Sequence, residues 1–145
     1  MPGKPQPFVR NFHKFIDVDK ADADERHLGF EIELSRAALR VRPDWFEALT
    51  MLGHALTKSG NHRQALAVDG RLTKLRPDDP IVHYNLACSL SNLDRIDESL
   101  DALKQSLELG YKDFSYMLGD PDLDNVRRDP RFKKLLERRT GKRQP

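Results

Sequence analysis

The tripeptide Arg42-Pro43-Asp44 returns as Arg76-Pro77-Asp78, 34 residues downstream. A chain of 145 residues that repeats at this distance is expected to fold as a stack of similar small units, each burying its apolar face on a neighbour. The same shift lays Leu52, Leu56, Leu66 and Leu75 onto Leu86, Leu90, Leu100 and Leu109. Small residues also meet small residues, Gly53 on Ala87 and Ala65 on Ser99.

Within each copy the apolar residues stand three and four apart, the stripe of a half-buried helix. Leu49, Leu52 and Leu56 predict a first helix from about Trp45 to Lys58, capped by Asp44. Gly53 lies on that stripe at a cost of about 1 kcal/mol in helix propensity, which close approach of another helix would offset. Ser59-Gly60-Asn61 reads as the turn. Ala65, Leu66, Val68 and Leu72 carry a second helix to Leu75, and Pro77 ends it. Asp79-Pro80, Asp120-Pro121 and Asp129-Pro130 each set a side-chain acceptor before a proline that needs no donor, so each predicts a helix start.

Leu49-x2-Leu52-Gly53-x2-Leu56, followed by Ala65 and Pro77, resembles the W-x2-L-G-x2-Y, A-x3-F, P pattern of the tetratricopeptide repeat. His83-x2-Leu86-Ala87-x2-Leu90, followed by Ser99, Leu103 and Tyr111, resembles it again. Leu49 and His83 replace the tryptophan, Asp69 the aromatic residue, and Gly110-Tyr111 the closing proline. The resemblance implies an all-α, right-handed helical-hairpin solenoid. Its expected parts are a disordered lead-in (1–7), a degenerate helix pair (8–42), repeats at 43–78 and 79–111, a helical cap (112–140) and a basic tail (141–145). Phe8, Phe12, Phe15 and Ile16 form an upstream apolar stripe, and Asp22 with Glu25 resembles a capping box for a helix running to about Val41. From Gly110 onward the chain looks like the terminal segment after the last repeat in bacterial members, a resemblance that covers roughly Asn85 to Glu137 and implies a closing cap. Its Leu123, Val126, Phe132, Leu135 and Leu136 would cover the last repeat, leaving Arg127, Arg128, Lys133, Lys134, Arg138 and Arg139 outside.

In this family the fold is a protein-interaction scaffold, so the resemblance implies a non-catalytic module that binds a peptide or partner protein. The expected site is the concave groove of the first helix of each pair. Its residues are Glu47, Thr50, His54, Thr57 and Lys58, then Ile81, Tyr84, Asn85, Cys88, Ser91 and Asn92, with Tyr84 as the anchor. Thr50 and His54 stand where chaperone-binding members carry Lys and Asn, so no carboxylate clamp is expected. The alternative is electrostatic. From Arg127 to Pro145 the charge sums to +7, while the remainder carries −5. A basic patch of Arg127, Arg128, Lys133, Lys134, Arg138 and Arg139 attracts nucleic acid or anionic membrane, or is simply a solvated face.

Catalysis has no footing in the residues. No two of the 5 histidines are spaced as metal ligands on one helix turn, and no nucleophile elbow or phosphate loop occurs. Asp120-Pro121-Asp122-Leu123-Asp124 opens like a calcium loop, yet Asn125 and Arg131 occupy the positions that require Gly and Glu. Cys88 stands alone in mid-helix, so it reads as a packing residue. The expectation is therefore no enzyme, no metal and no cofactor. No apolar run approaches the roughly 18 residues of a membrane span, and the first residues do not resemble a secretory signal. The reading is a soluble, cytoplasmic chain with a reduced thiol, a monomer or weak homo-oligomer.

Overall fold

Each Asp-Pro pair opens a helical segment. Asp79, Asp120 and Asp129 accept the backbone N–H of Ile81, Asp122 and Arg131, each with proline at the first helical positions. The computed structural model describes residues 21–141. Residues 1–7, the Phe8–Ile16 stripe, the Asp22 side chain and the tail beyond Gly141 lie outside what it describes. The helices are α1 (Ala21–Val41), α2 (Phe46–Lys58), α3 (His62–Leu75), α4 (Pro80–Asn92) and α5 (Ile96–Glu108). After them come α6 (Phe114–Gly119), a 3-10 turn (Pro121–Leu123), α7 (Asp124–Arg127) and α8 (Pro130–Thr140). No strand occurs among the described residues, and the class is the all-α helical hairpin expected. No described helix is long and apolar enough to cross a membrane.

Two helix starts differ from the sequence expectation. Asp44 does not cap α2. Trp45 holds the N-cap position without a side-chain bond, and Asp44 stands 3.9 Å from the Arg42 guanidinium. The 34-residue shift explains the difference, because it aligns Asp79 with Trp45 and leaves Asp44 one position too early. Conversely, Asp113 caps α6 through the Tyr116 N–H with no proline to announce it.

The chain divides into two compact units, one ending at Val68 and the other beginning at Asp69, inside α3. In the first unit α1 packs on α2, and Ser35, Leu39, Leu49, Leu52, Leu56 and Ala65 are buried. Arg36 donates to Gln64 Oε1 at 2.9 Å, joining α1 to the start of α3. In the second unit α4 packs on α5, the 3-10 turn and α7 lie on α4, and α7 and α8 lie on α5. Leu72, Val82, Leu90, Leu103, Met117, Leu123, Val126 and Phe132 form its core.

The repeat is written into backbone hydrogen bonds as well as side chains. At the first turn Gly60 N–H meets Thr57 O at 3.1 Å and Asn61 N–H meets Leu56 O at 2.8 Å. At the second, Asp94 N–H meets Ser91 O and Arg95 N–H meets Leu90 O, both at 2.9 Å. Both turns require a left-handed residue, supplied by Gly60 (φ 81°) and by Asp94 (φ 57°). Only the first is free of steric cost, since glycine lacks the Cβ that disfavours this region.

The two turns and the two copies of the stripe can be tested by substitution. Asp94→Gly should raise unfolding free energy by about 0.5–1 kcal/mol, and Gly60→Val should lower it by about 1–3 kcal/mol, read from urea titrations. Leu52 is 6% exposed, so Leu52→Ala should cost about 2–5 kcal/mol. Leu86, which the register equates with it, is only half-buried, and its change to Ala should cost measurably less.

Candidate functional site

A phenol withdrawn from water needs a hydrogen-bond partner. Tyr84, on α4, is 1% exposed, and its hydroxyl donates to Asp120 Oδ2 at 2.7 Å. Tyr111 stacks on its ring with centroids 4.5 Å and planes 8° apart, and Tyr116 leans in at 6.2 Å. One helical turn along, the Cys88 thiol lies 3.8 Å from the same carboxylate oxygen. Further along still, Ser91 Oγ accepts the Val126 N–H at 3.1 Å, and Ser91 O accepts from Asn125 Nδ2 at 2.9 Å. Asn92 Nδ2 donates to Asp122 Oδ1 at 3.2 Å.

Tyr84, Cys88, Ser91 and Asn92 thus share one face of α4, and the segment from Tyr111 to Val126 lies against it. The sequence register identifies this face. It does not show that the chain covers it with its own terminal segment, because those bonds join residues about thirty positions apart or more. Asn85, also buried, has no hydrogen-bond partner at Oδ1 among the described residues. Ile81 is half-buried.

On α2, Thr50, His54 and Thr57 are each 7% exposed. The Thr50 and Thr57 hydroxyls donate to carbonyls of their own helix, Phe46 O at 2.8 Å and Gly53 O at 2.9 Å. Glu47 and Lys58 are exposed. Of the eleven residues expected to line an open groove, Glu47 and Lys58 therefore face solvent fully, Ile81 and Asn92 partly, and the rest are buried.

Burial pushes the Asp120 carboxyl above its ordinary value of 3.8, opposed by the bonds it accepts from Tyr84 and the Asp122 N–H. Burial also raises Tyr84, Tyr111 and Tyr116, so all three phenols remain protonated donors. Ligand atoms of Cys88, Asp120 and Asp122 converge within 4.8 Å. Those oxygens already accept from Tyr84, from the Asp122 N–H and from Asn92.

The basic set divides in the structure. Arg127, expected on the outside, turns inward and donates to the carbonyls of Met117 and Asp120 while pairing with Asp124. Arg139 reaches Glu108 at 3.4 Å. Arg128, Lys133, Lys134 and Arg138 are exposed.

Residues 81–109 match the family model described as tetratricopeptide repeat. The chain is similar to a chloroplastic protein of Arabidopsis thaliana, 32% identical over 59% of this chain and 26% of that protein. It is also similar to a TPR repeat-containing protein of Picosynechococcus, 35% identical over 48% of this chain and 18% of that protein. The chain thus spans about a quarter or less of the length of these relatives. No solved structure matches it.

Asp120 supplies the test of this cluster. Asp120→Ala leaves the Tyr84 hydroxyl buried and unpaired, and should cost about 1–3 kcal/mol. Because folding raises the Asp120 pKa, the native chain holds the proton more tightly than the unfolded one. The group's stabilisation is full below pH 3.8 and falls as pH climbs through the raised value. Asp120→Asn removes that titration, so urea midpoints between pH 4 and 7 should vary less with pH than in the parent chain.

Proposed function

Because the chain is a tetratricopeptide-repeat protein, we propose that it is a non-catalytic interaction module that holds a peptide or partner protein. Repeats of this family generally mediate protein–protein association. The observation that carries the reading is the duplicated helical hairpin, with matching turn bonds 34 residues apart. Each helical hairpin exposes side chains three and four residues apart along its helices, which suits docking of another chain more than a closed reaction cavity. The groups that could do chemistry, Tyr84 and Cys88 on α4 and Asp120 at the cap of the 3-10 turn, are buried in contact with one another.

The contact residues proposed are those of the expected set that remain in solvent. In the first unit these are Glu47 and Lys58 of α2, and in the second Ile81 and Asn92 of α4. Within the first unit, the exposed Glu47 and Lys58 of α2 favour a polar peptide held at micromolar strength.

The experiment is capture with the full chain as bait, identification of the bound protein by mass, and titration of the purified pair. Glu47→Lys combined with Lys58→Glu should weaken binding at least tenfold, about 1.4 kcal/mol, in a chain that still unfolds cooperatively although the reversed charges at the two ends of α2 cost it about 1–2 kcal/mol of stability. Unaltered affinity in that double variant removes these residues from the proposal. A bound nucleic acid with a steep loss of affinity in salt would replace the protein-partner reading altogether.

A further inference from the structure

α8 packs beside α5, and a groove of about 330 Å³ runs between them. Leu100 and Leu135 form its floor. On the α8 side, Arg131, Lys134 and Arg138 stand three and four residues apart, which puts their side chains on one face of the helix. Across from them α5 contributes Asp97, Asp101 and Lys104.

The cations are not equivalent. Arg131 bonds Asp97 at 2.7 Å and Asp129 at 2.9 Å, so it fastens α8 to α5 and closes one end of the groove. Lys104, Lys134 and Arg138 are exposed, and none forms an ion pair with a described residue. Three cations without an ion-pair partner, against the one carboxylate of Asp101, therefore surround an apolar floor inside a single compact unit. Solvated lysines alone would need no partner. Lysines around two leucines offer a complementary carboxylate-rich chain both charge and a place for an apolar side chain.

We propose that this groove docks an acidic peptide segment of a partner protein, with one aliphatic or aromatic side chain on Leu100 and Leu135 and carboxylates facing Lys104, Lys134 and Arg138. Nucleic acid fits less well for two reasons. No aromatic side chain lines the groove for a base to stack on, and its cations are too few and too close together to track a phosphate backbone. From Arg131 to Arg138 the helix advances about 10 Å, the length of three or four extended residues. So short a contact implies micromolar affinity that weakens as salt screens the charges. The groove uses none of the residues proposed above on α2 and α4.

The test pans phage-displayed random dodecapeptides on the full chain, then measures synthetic copies of the enriched sequences by fluorescence anisotropy. Expected are sequences rich in Asp and Glu around Leu, Ile or Phe. Their affinity should fall at least tenfold in Lys134→Glu with Arg138→Glu, and several-fold in Lys104→Glu on the opposite helix. All three side chains are exposed, so melting temperatures should not change, and the single Lys104→Glu variant decides the matter if the double variant does not fold. No enrichment, enrichment of neutral or basic sequences, or affinity indifferent to these variants overturns the proposal. Tighter binding of oligo-dT, lost in the same variants, reassigns the groove to phosphate. Self-association abolished by them reassigns it to a second copy of the chain. Acidic peptides lost only in Glu47→Lys with Lys58→Glu overturn this groove and leave the α2 and α4 residues standing.

Discussion

The second unit is organised around one buried carboxylate. Asp120 caps the 3-10 turn through the Asp122 N–H and accepts the Tyr84 hydroxyl from α4. One side chain therefore fixes both where the turn begins and where it sits on the helix. With that point fixed, Leu123 and Val126 fall at 0% exposure, and Arg127 binds the carbonyls of Met117 and Asp120. The next Asp-Pro pair then launches α8 against α5. An aliphatic residue at 120 would remove the desolvation cost, yet would leave the phenol and the turn N–H unpaired. Retaining the carboxylate is the lesser cost, because a buried orphan donor costs more than a hydrogen bond contributes.

The 34-residue register assigns the same positions to different work in the two copies. Thr50 aligns with Tyr84 and Thr57 with Ser91. In α2 the two threonine hydroxyls turn back on their own helix carbonyls. In α4 the tyrosine and serine reach to residues of the terminal segment. Local periodicity is shared between copies; the side chain's reach and what comes later in the chain decide what each position touches.

This separates what is legible in the sequence from what is not. The helices, the first turn and the three Asp-Pro starts are legible because each rests on interactions within about five residues. Asp44 misleads because an acidic residue before a helix is a good cap only at the right position, and the copies differ by one residue there. Leu86 and Arg127 mislead for a different reason. Helical phase shows that a side chain faces the stack or solvent, but burial depends on which distant segment arrives. The expected groove suffers the same way. Its α4 residues do share one face, and the Tyr111–Val126 segment that covers them pairs across about thirty residues or more.

Charge illustrates the distinction most sharply. The +7 of the terminal stretch suggests an attraction for polyanions when it is read as a sum. In the structure the sum breaks into kinds. Arg127 holds backbone carbonyls, Arg131 holds Asp97 and Asp129, and Arg139 reaches Glu108. These cations belong to the fold, and their partners cancel their field at short range. What the groove between α5 and α8 presents is a smaller set, Lys134 and Arg138 joined by Lys104 from another helix, around two leucines. A phosphate chain responds chiefly to density of charge, and that density is lower than the count implies. A carboxylate-bearing peptide responds to charge arranged about an apolar contact, which the side by side packing of α5 and α8 creates and neither helix has alone.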